Sequence, residues 1–400
     1  MKTILKKAVP VVLSVMMLFV GIVPAASVHA ANTVGPDLKL QKVFSKADYG
    51  VATPNVTFHF DIKKHSFNGD TSFTERDKCP DLADMTPEIS YDFNDDTNGL
   101  NVPGCHLKKL TGDLLNNVTF DTYGVGQYTY SIKEIAPTGQ TNAVYSSSAE
   151  YLVSIFIKKN NLNNNVVDKI VIAKTKNDAG EPLTDPPKIA YAYDSDRQTS
   201  NIVFYNEYRK TAGTDTIVPG STTPSAAELS GFVLLKKVEG SDDYISTFPF
   251  TLYLDPPWGI STATSNPTYR IVSAGGTVGE KVSIQYSTLN NLELAHGERL
   301  VLNDVLLGTF IRVNETDSHG YVKTISGQMD GVTINGTEPL ITYGVHIGEA
   351  PGGNHILFTN TQQQATGVLL ANLPFIILFL VAVSGILLFV RNRRKAHSTE

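Results

Sequence analysis

The chain has 400 residues, with 33 Lys and Arg against 39 Asp and Glu, for a formal net charge of −6. That balance supplies no basic field and excludes nucleic-acid binding as the main task. Two cysteines exclude a disulfide-dense scaffold, and 17 tyrosines with many Thr, Val and Ile in short runs between Gly, Pro, Asn and Asp indicate strands joined by turns.

Residues 1–30 have the order of a secretory signal peptide. Lys2, Lys6 and Lys7 form a positive start, Ala8 to Pro24 is almost wholly apolar, and Val28-His29-Ala30 offers small residues to a signal peptidase, placing the cut between Ala30 and Ala31. An uncleaved signal anchor is the alternative. The run is short for a span of about 20 residues and ends in Ala25, Ala26 and Ser27, which favours cleavage.

Residues 31–210 read as a first β-rich domain. Leu38, Leu40 and Lys42 alternate along an opening strand, and Val56, Phe58, Phe60 and Ile62 along the next. A polar excursion from Ser66 to Leu110 contains Cys79 and Cys105 in loop-like flanks, and an oxidising exterior permits a disulfide between them. Tyr128, Tyr130, Ile132 and Glu134 alternate next, then Tyr151, Val153, Ile155 and Ile157, and the segment closes on Ile202-Val203-Phe204-Tyr205-Asn206. Residues 211–227 are small, polar and turn-prone, and read as a linker.

A second β-rich domain, 228–362, repeats the order of the first. Phe232, Leu234 and Lys236 open it, Phe248-x-Phe250 follows, Ile311, Val313 and Glu315 come later, and Ile356-Leu357-Phe358-Thr359-Asn360 closes it. Residues 363–400 are the last segment. Val368 to Val390 carries no charge and is long enough to span a bilayer, and Arg391, Arg393, Arg394 and Lys395 follow as a cytoplasmic stub, so the N-terminal bulk of the chain is expected outside the cell. The fold class expected is all-β: two tandem Ig-like sandwiches between a signal peptide and a C-terminal transmembrane helix.

Successive strand residues face opposite ways. Lys42 therefore shares a face with Leu38 and Leu40, Glu134 with Tyr130 and Ile132, and Asn206 with Ile202 and Phe204. If those apolar residues face the core, a lysine, a glutamate and an asparagine lie buried together, once per domain. Isolated buried charges are expensive. Desolvation pushes a lysine toward the neutral amine and a glutamate toward the neutral acid. A neutral amine is a nucleophile, and a glutamic acid can polarise the Asn carboxamide and pass a proton to leaving ammonia. The product is a Lys–Asn amide joining the first and last strands. The competing reading is a pair of strand-end surface ion pairs with turn asparagines. Repetition of order, type and phase favours the buried cluster.

At these residues the sequence resembles the streptococcal T-antigen (FctA-type) major pilins and their isopeptide-linkage domains. The resemblance is carried by Leu38-x-Leu40-x-Lys42, Tyr128-x-Tyr130-x-Ile132-x-Glu134 and Ile202-x-Phe204-x-Asn206, and by Phe232 to Lys236 with Lys237-Val238-x-Gly240, Ile311 to Glu315 and Ile356 to Asn360. It spans about residues 38 to 367, and its motifs are short, with specificity lying in their order. It implies CnaB/FctA-like sandwiches and intramolecular isopeptide bonds Lys42–Asn206, promoted by Glu134, and Lys236–Asn360, promoted by Glu315. It also implies a Gram-positive cell surface, no enzymatic activity beyond this self-reaction, and processing by a sortase.

The family's sorting signal is a Glu- or Gln-Val-Pro-Thr-Gly pentapeptide before the apolar span. Here Gln363-Gln364-Ala365-Thr366-Gly367 stands there, with Thr366–Gly367 at the cleavage position and Gln364 and Ala365 departing from the pattern. A permanent membrane anchor is the alternative. In that family a lysine shortly before the first bonding asparagine accepts the next subunit. Here Arg197 to Asn201 contains none, and the nearest lysines are Lys188 and Lys210. The partners implied are a sortase and either further pilin subunits or peptidoglycan. The competing function is a monomeric wall-anchored adhesin that binds a host or surface ligand through the Ser66–Leu110 excursion. No histidine or cysteine spacing suits a metal, no phosphate loop or nucleophile elbow occurs, and no cofactor is expected.

Overall fold

The computed structural model of the protein describes residues 36–96, 106–213, 217–240, 247–260, 266–337, 344–362 and 366–396, with only the backbone for 366–371 and 393–396. The signal segment with Ala30 and Ala31, Cys105, and Gln363 to Ala365 lie outside the described residues.

The first half is built from β1 (Gln41–Ser45), β2 (Val56–Phe67), α1 (Phe73–Arg76), β3 (Glu88–Tyr91), β4 (His106–Leu110), β5 (Gly126–Gly139), β6 (Val144–Tyr145), β7 (Glu150–Lys159), β8 (Asn165–Lys176), β9 (Ile189–Ala190), β10 (Tyr193–Asp194), β11 (Thr199–Ser200) and β12 (Val203–Tyr208). One sheet has the order β4-β1-β12-β6 and the other β3-β2-β5-β7-β8-β9. Period-two alternation explains their packing. Val56, Phe58, Phe60 and Ile62 are buried along β2, as are Tyr151, Val153, Ile155 and Ile157 along β7. The two sheets meet through aromatic contacts, with the Phe60 and Phe204 rings 5.0 Å apart.

The second half contains β13 (Thr211–Ala212), α2 (Ala226–Ser230), β14 (Phe232–Glu239), β15 (Phe248–Asp255), β16 (Thr268–Val272), β17 (Val282–Ser283), β18 (Leu289–Leu294), β19 (Arg299–Asn303), β20 (Val305–Leu306), β21 (Phe310–Glu315), β22 (Val322–Met329), β23 (Val332–Gly336), β24 (Val345–His346) and β25 (His355–Thr361). Its sheets have the orders β17-β16-β19-β14-β25-β22-β23 and β18-β15-β21-β24. Phe250 and Phe358 pack edge-to-face across them at 5.2 Å.

In both halves the first and last long strands pair in parallel. Lys42 lies opposite Phe204 in β1·β12, and Lys236 opposite Phe358 in β14·β25. The strand bearing the glutamate pairs with the Phe-rich strand in a matching register, Phe60 against Glu134 and Phe250 against Glu315.

The described residues of the Ser66–Leu110 excursion include regular strands. Within it β3 pairs with β2 and β4 with β1, and Ile89, Tyr91 and Leu107 are buried. Along β3, Glu88 and Ser90 face solvent while Ile89 and Tyr91 face inward. Cys79 is buried, and its thiol donates to the Ser66 carbonyl at 3.4 Å.

The segment between the halves is held down at both ends, unlike a free tether. β13 pairs with β20, and Leu307 N–H donates to Lys210 O at 2.9 Å. Ser225 caps α2 through a reciprocal capping box with Glu228. Glu228, fully buried, also accepts from Arg299 at 3.0 and 3.2 Å, and Arg299 donates to Ser221 O at 3.0 Å. Across the junction Tyr49 stacks on His346 at 4.4 Å and Lys210 pairs with Glu349 at 2.9 Å. Gly50 (φ 68°) is required there, because a Cβ would sit 2.7 Å from Gly348 Cα.

At the C-terminus, α3 (Thr366–Ala396) includes a stretch, Asn372–Asn392, of 21 residues with mean hydropathy 2.9. Phe375, Leu378, Phe379, Val381, Leu387 and Phe389 are exposed on it, so it is apolar around its circumference, as a helix facing hydrocarbon must be.

Candidate functional site

The alternation that turns Leu38 and Leu40 inward also turns Lys42 inward, and the lysine is fully buried. From the facing sheet β5 brings Glu134, and from the neighbouring strand β12 brings Asn206. The Lys42 ammonium donates to Glu134 Oε2, and Asn206 Nδ2 donates to Glu134 Oε1 at 2.5 Å. One carboxylate thus bridges the amine and the amide. Asn206 Oδ1 accepts the backbone N–H of Ser147 at 2.7 Å. The Phe58 ring closes the site above the amine, with Lys42 Nζ 4.3 Å from its centroid.

In the second sandwich β14 contributes Lys236, β21 Glu315 and β25 Asn360, all buried. Lys236 Nζ donates to Glu315 Oε1 at 2.8 Å, and Asn360 Nδ2 donates to the same oxygen at 2.7 Å. Lys236 Nζ lies 4.1 Å from the Phe248 centroid and 5.9 Å from that of Phe250. Asn360 Oδ1 and Glu315 Oε2 are buried and have no hydrogen-bond partner among the described residues.

Burial dominates the electrostatics of both lysines. Desolvation lowers Lys42 from 10.5 to about 8 against the opposing attraction of Glu134, and lowers Lys236 to about 8 against that of Glu315. Burial also raises Glu134 above its ordinary value, opposed by Lys42 and Asn206. Both shifts favour moving the proton from amine to carboxylate, which leaves a neutral amine beside a carboxamide. An aromatic wall keeps water from resolvating the charges.

All six cluster residues singled out in the sequence therefore meet in two sites. Four contributors were not foreseen in these roles. Phe58 and Phe248 belong to a motif repeated in the sequence, but their place above the lysine depends on the facing sheet. Ser147 and Asp178, whose Oδ1 accepts from Ser147 Oγ at 2.7 Å, lie in loops without periodicity, so no sequence signal marks them. Thr366 and Gly367 occupy the first turn of α3. Lys188 is exposed, and Lys210 is half-buried and ion-paired with Glu349. Among the described residues no group of three or more His, Cys, Asp or Glu suits a metal.

The chain is similar to streptococcal major pilins. The major pilin of Streptococcus pyogenes matches at 19% identity over 82% of this chain and 99% of its own, with a TM-score of 0.33. The S. pyogenes major pilin T3.2 matches at 17% identity over 82% and 98%, with a TM-score of 0.32. The pilus-presented adhesin Spy0125 (Cpa) matches at 10% identity over 82% and 100%, with a TM-score of 0.26. A family profile described as a domain of unknown function (DUF7601) matches residues 232–343. Comparison with curated proteins finds no match.

Proposed function

We propose that the chain is a pilin-type structural subunit of a Gram-positive cell surface, clamped by two self-made Lys–Asn isopeptide bonds and attached through its C-terminus by a sortase. One observation carries this reading. The same three residue types occupy matching registers on equivalent strands of both sandwiches, buried beneath a phenylalanine.

The reaction follows from the contacts. Lys42 passes a proton to Glu134 and becomes a neutral amine. Its Nζ attacks Cγ of Asn206, forming the N–C bond while the carbonyl π electrons move to Oδ1. Glu134 relays protons from Nζ to Nδ2, the Cγ–Nδ2 bond breaks, and ammonia leaves. The sum is amine plus primary amide giving secondary amide plus ammonia, with the carboxyl group regenerated. Lys236, Glu315 and Asn360 follow the same course. Holding the reactants together supplies much of the barrier lowering. Each bond would tie first strand to last, so tension along the chain would bypass the rest of that sandwich.

Beyond these two self-reactions we read the chain as a substrate rather than an enzyme. The apolar helix and basic run would hold it at the membrane while a sortase cuts between Thr366 and Gly367 and passes Thr366 to peptidoglycan or to another subunit. The mature chain would then lie at the cell wall.

Intact mass tests the bonds. The mature chain should fall short of its sequence mass by two ammonia molecules, with Glu134→Ala restoring one and Glu315→Ala the other. Full sequence mass in the unmutated chain defeats the reading. A ladder of boiling-resistant high-mass species in a wall extract is expected for a shaft subunit, and a single monomer band would favour the adhesin.

A further inference from the structure

We propose that the backbone N–H of Ser147 is the oxyanion donor for the Lys42–Asn206 bond, and that the two bonds consequently form by unequally assisted reactions. This rests on the isopeptide reading above.

When Lys42 Nζ adds to Cγ of Asn206, the C=O π pair moves onto Oδ1, which becomes the anionic oxygen of the tetrahedral intermediate. When the Cγ–Nδ2 bond breaks, the pair returns to the carbonyl and ammonia departs with the relayed proton. A donor fixed on Oδ1 is therefore worth more at the intermediate than before it. Ser147 N–H already points at Oδ1 from 2.7 Å, in a buried setting where such a contact is strong. It also fixes the amide orientation, turning Nδ2 toward Glu134, which must protonate it.

The donor is held in place from both sides. Ser147 Oγ donates to Asp178 Oδ1 at 2.7 Å and accepts from Ala149 N–H at 3.1 Å. Ser148 N–H donates to the Asp178 carbonyl at 2.9 Å, and Asp178 Oδ1 accepts Tyr205 N–H from β12 itself at 3.0 Å. The loop that carries Ser147 is thereby tied to the strand that carries Asn206.

Strand routing explains why the second site differs. After the glutamate strand of the first sandwich, β6 touches β12 only at Tyr145 and Val144, and the chain then crosses to pair as β7 with β5. The crossing loop turns an N–H inward. In the second sandwich β22 runs the length of β25 in an antiparallel ladder, with Lys323 opposite Asn360. Asn360 Oδ1 has no partner among the described residues.

The test removes one N–H. The full-length chain is made by pulsed cell-free synthesis in detergent, with glyceric acid, the α-hydroxy analogue of serine, placed at position 147 so that an ester oxygen replaces the N–H. Samples are digested over time, and the branched peptides joining Lys42 to Asn206 and Lys236 to Asn360 are quantified. The first peptide should appear on the order of 100-fold more slowly than in the unmodified chain, with the second unchanged. Ser147→Ala, which keeps the N–H, should stay within a few-fold of the unmodified rate. Equal rates for the first peptide with and without the N–H overturn the proposal, as does equal slowing of both peptides. If neither branched peptide forms in the unmodified chain, the Lys–Asn reading falls with it.

Discussion

The two buried clusters hold the same reactants in the same strand register, yet they differ in completeness. In the first, each oxygen of Glu134 has its own donor and Asn206 Oδ1 is also satisfied. In the second, both donors converge on Glu315 Oε1, leaving Glu315 Oε2 and Asn360 Oδ1 buried without a partner among the described residues. Placing the reactants needs only a parallel pair of first and last strands and one strand from the facing sheet. Satisfying the spare oxygens depends on where the next strand goes.

Breaking the bonds one at a time gives the largest expected effect. Lys42→Met or Lys236→Met removes one cross-link over a long loop and should lower the stability of its own sandwich by about 4–5 kcal/mol. Calorimetry should show one transition shifting while the other stays. A common shift of both would mean that the sandwiches melt together and that the packed junction at Tyr49 and His346 couples them.

Arg299→Ala strands the Glu228 carboxylate in the interior and should cost about 3–5 kcal/mol. The loss should appear in the second sandwich and in protease cleavage near α2, with the first sandwich unchanged.

A comparison of pH profiles follows next. In a chain carrying Asn206→Ala and Asn360→Ala, Lys42 and Lys236 remain amines whose folded pKa is about 8 against an ordinary 10.5. Between those values the unfolded chain binds more protons than the folded one, so the contribution of these lysines to stability rises with pH. Below about pH 8 their desolvation penalty is present in full. The difference in stability between linked and unlinked chains, measured by urea unfolding, should narrow from pH 8 toward 10.5. A constant difference would mean the two lysines are not desolvated as described.

The smallest effect is expected at the junction. Lys210→Ala removes a partly exposed pair with Glu349 and should change stability by less than about 1 kcal/mol. A larger loss would show that this pair, rather than the glycine contact at Gly50, locks the two sandwiches.

Much of the fold and of the candidate site was legible along the chain because strand geometry has a period of two. Once Leu38, Leu40, Phe204 and Ile202 are assigned to the core, Lys42 and Asn206 must point the same way, and the repeat in the second half fixes Lys236 and Asn360 likewise. The apolar run and its basic flank specified α3 by length and composition alone. Loop residues carry no such phase. That Ser147 reaches Asn206, that Phe58 and Phe248 roof the lysines, and that Glu228 and Arg299 fasten the connector follow from which strands become neighbours. Those pairings are long-range, and only the tertiary structure decides them, because burial of the whole core selects one arrangement of strands that each local segment would tolerate in several.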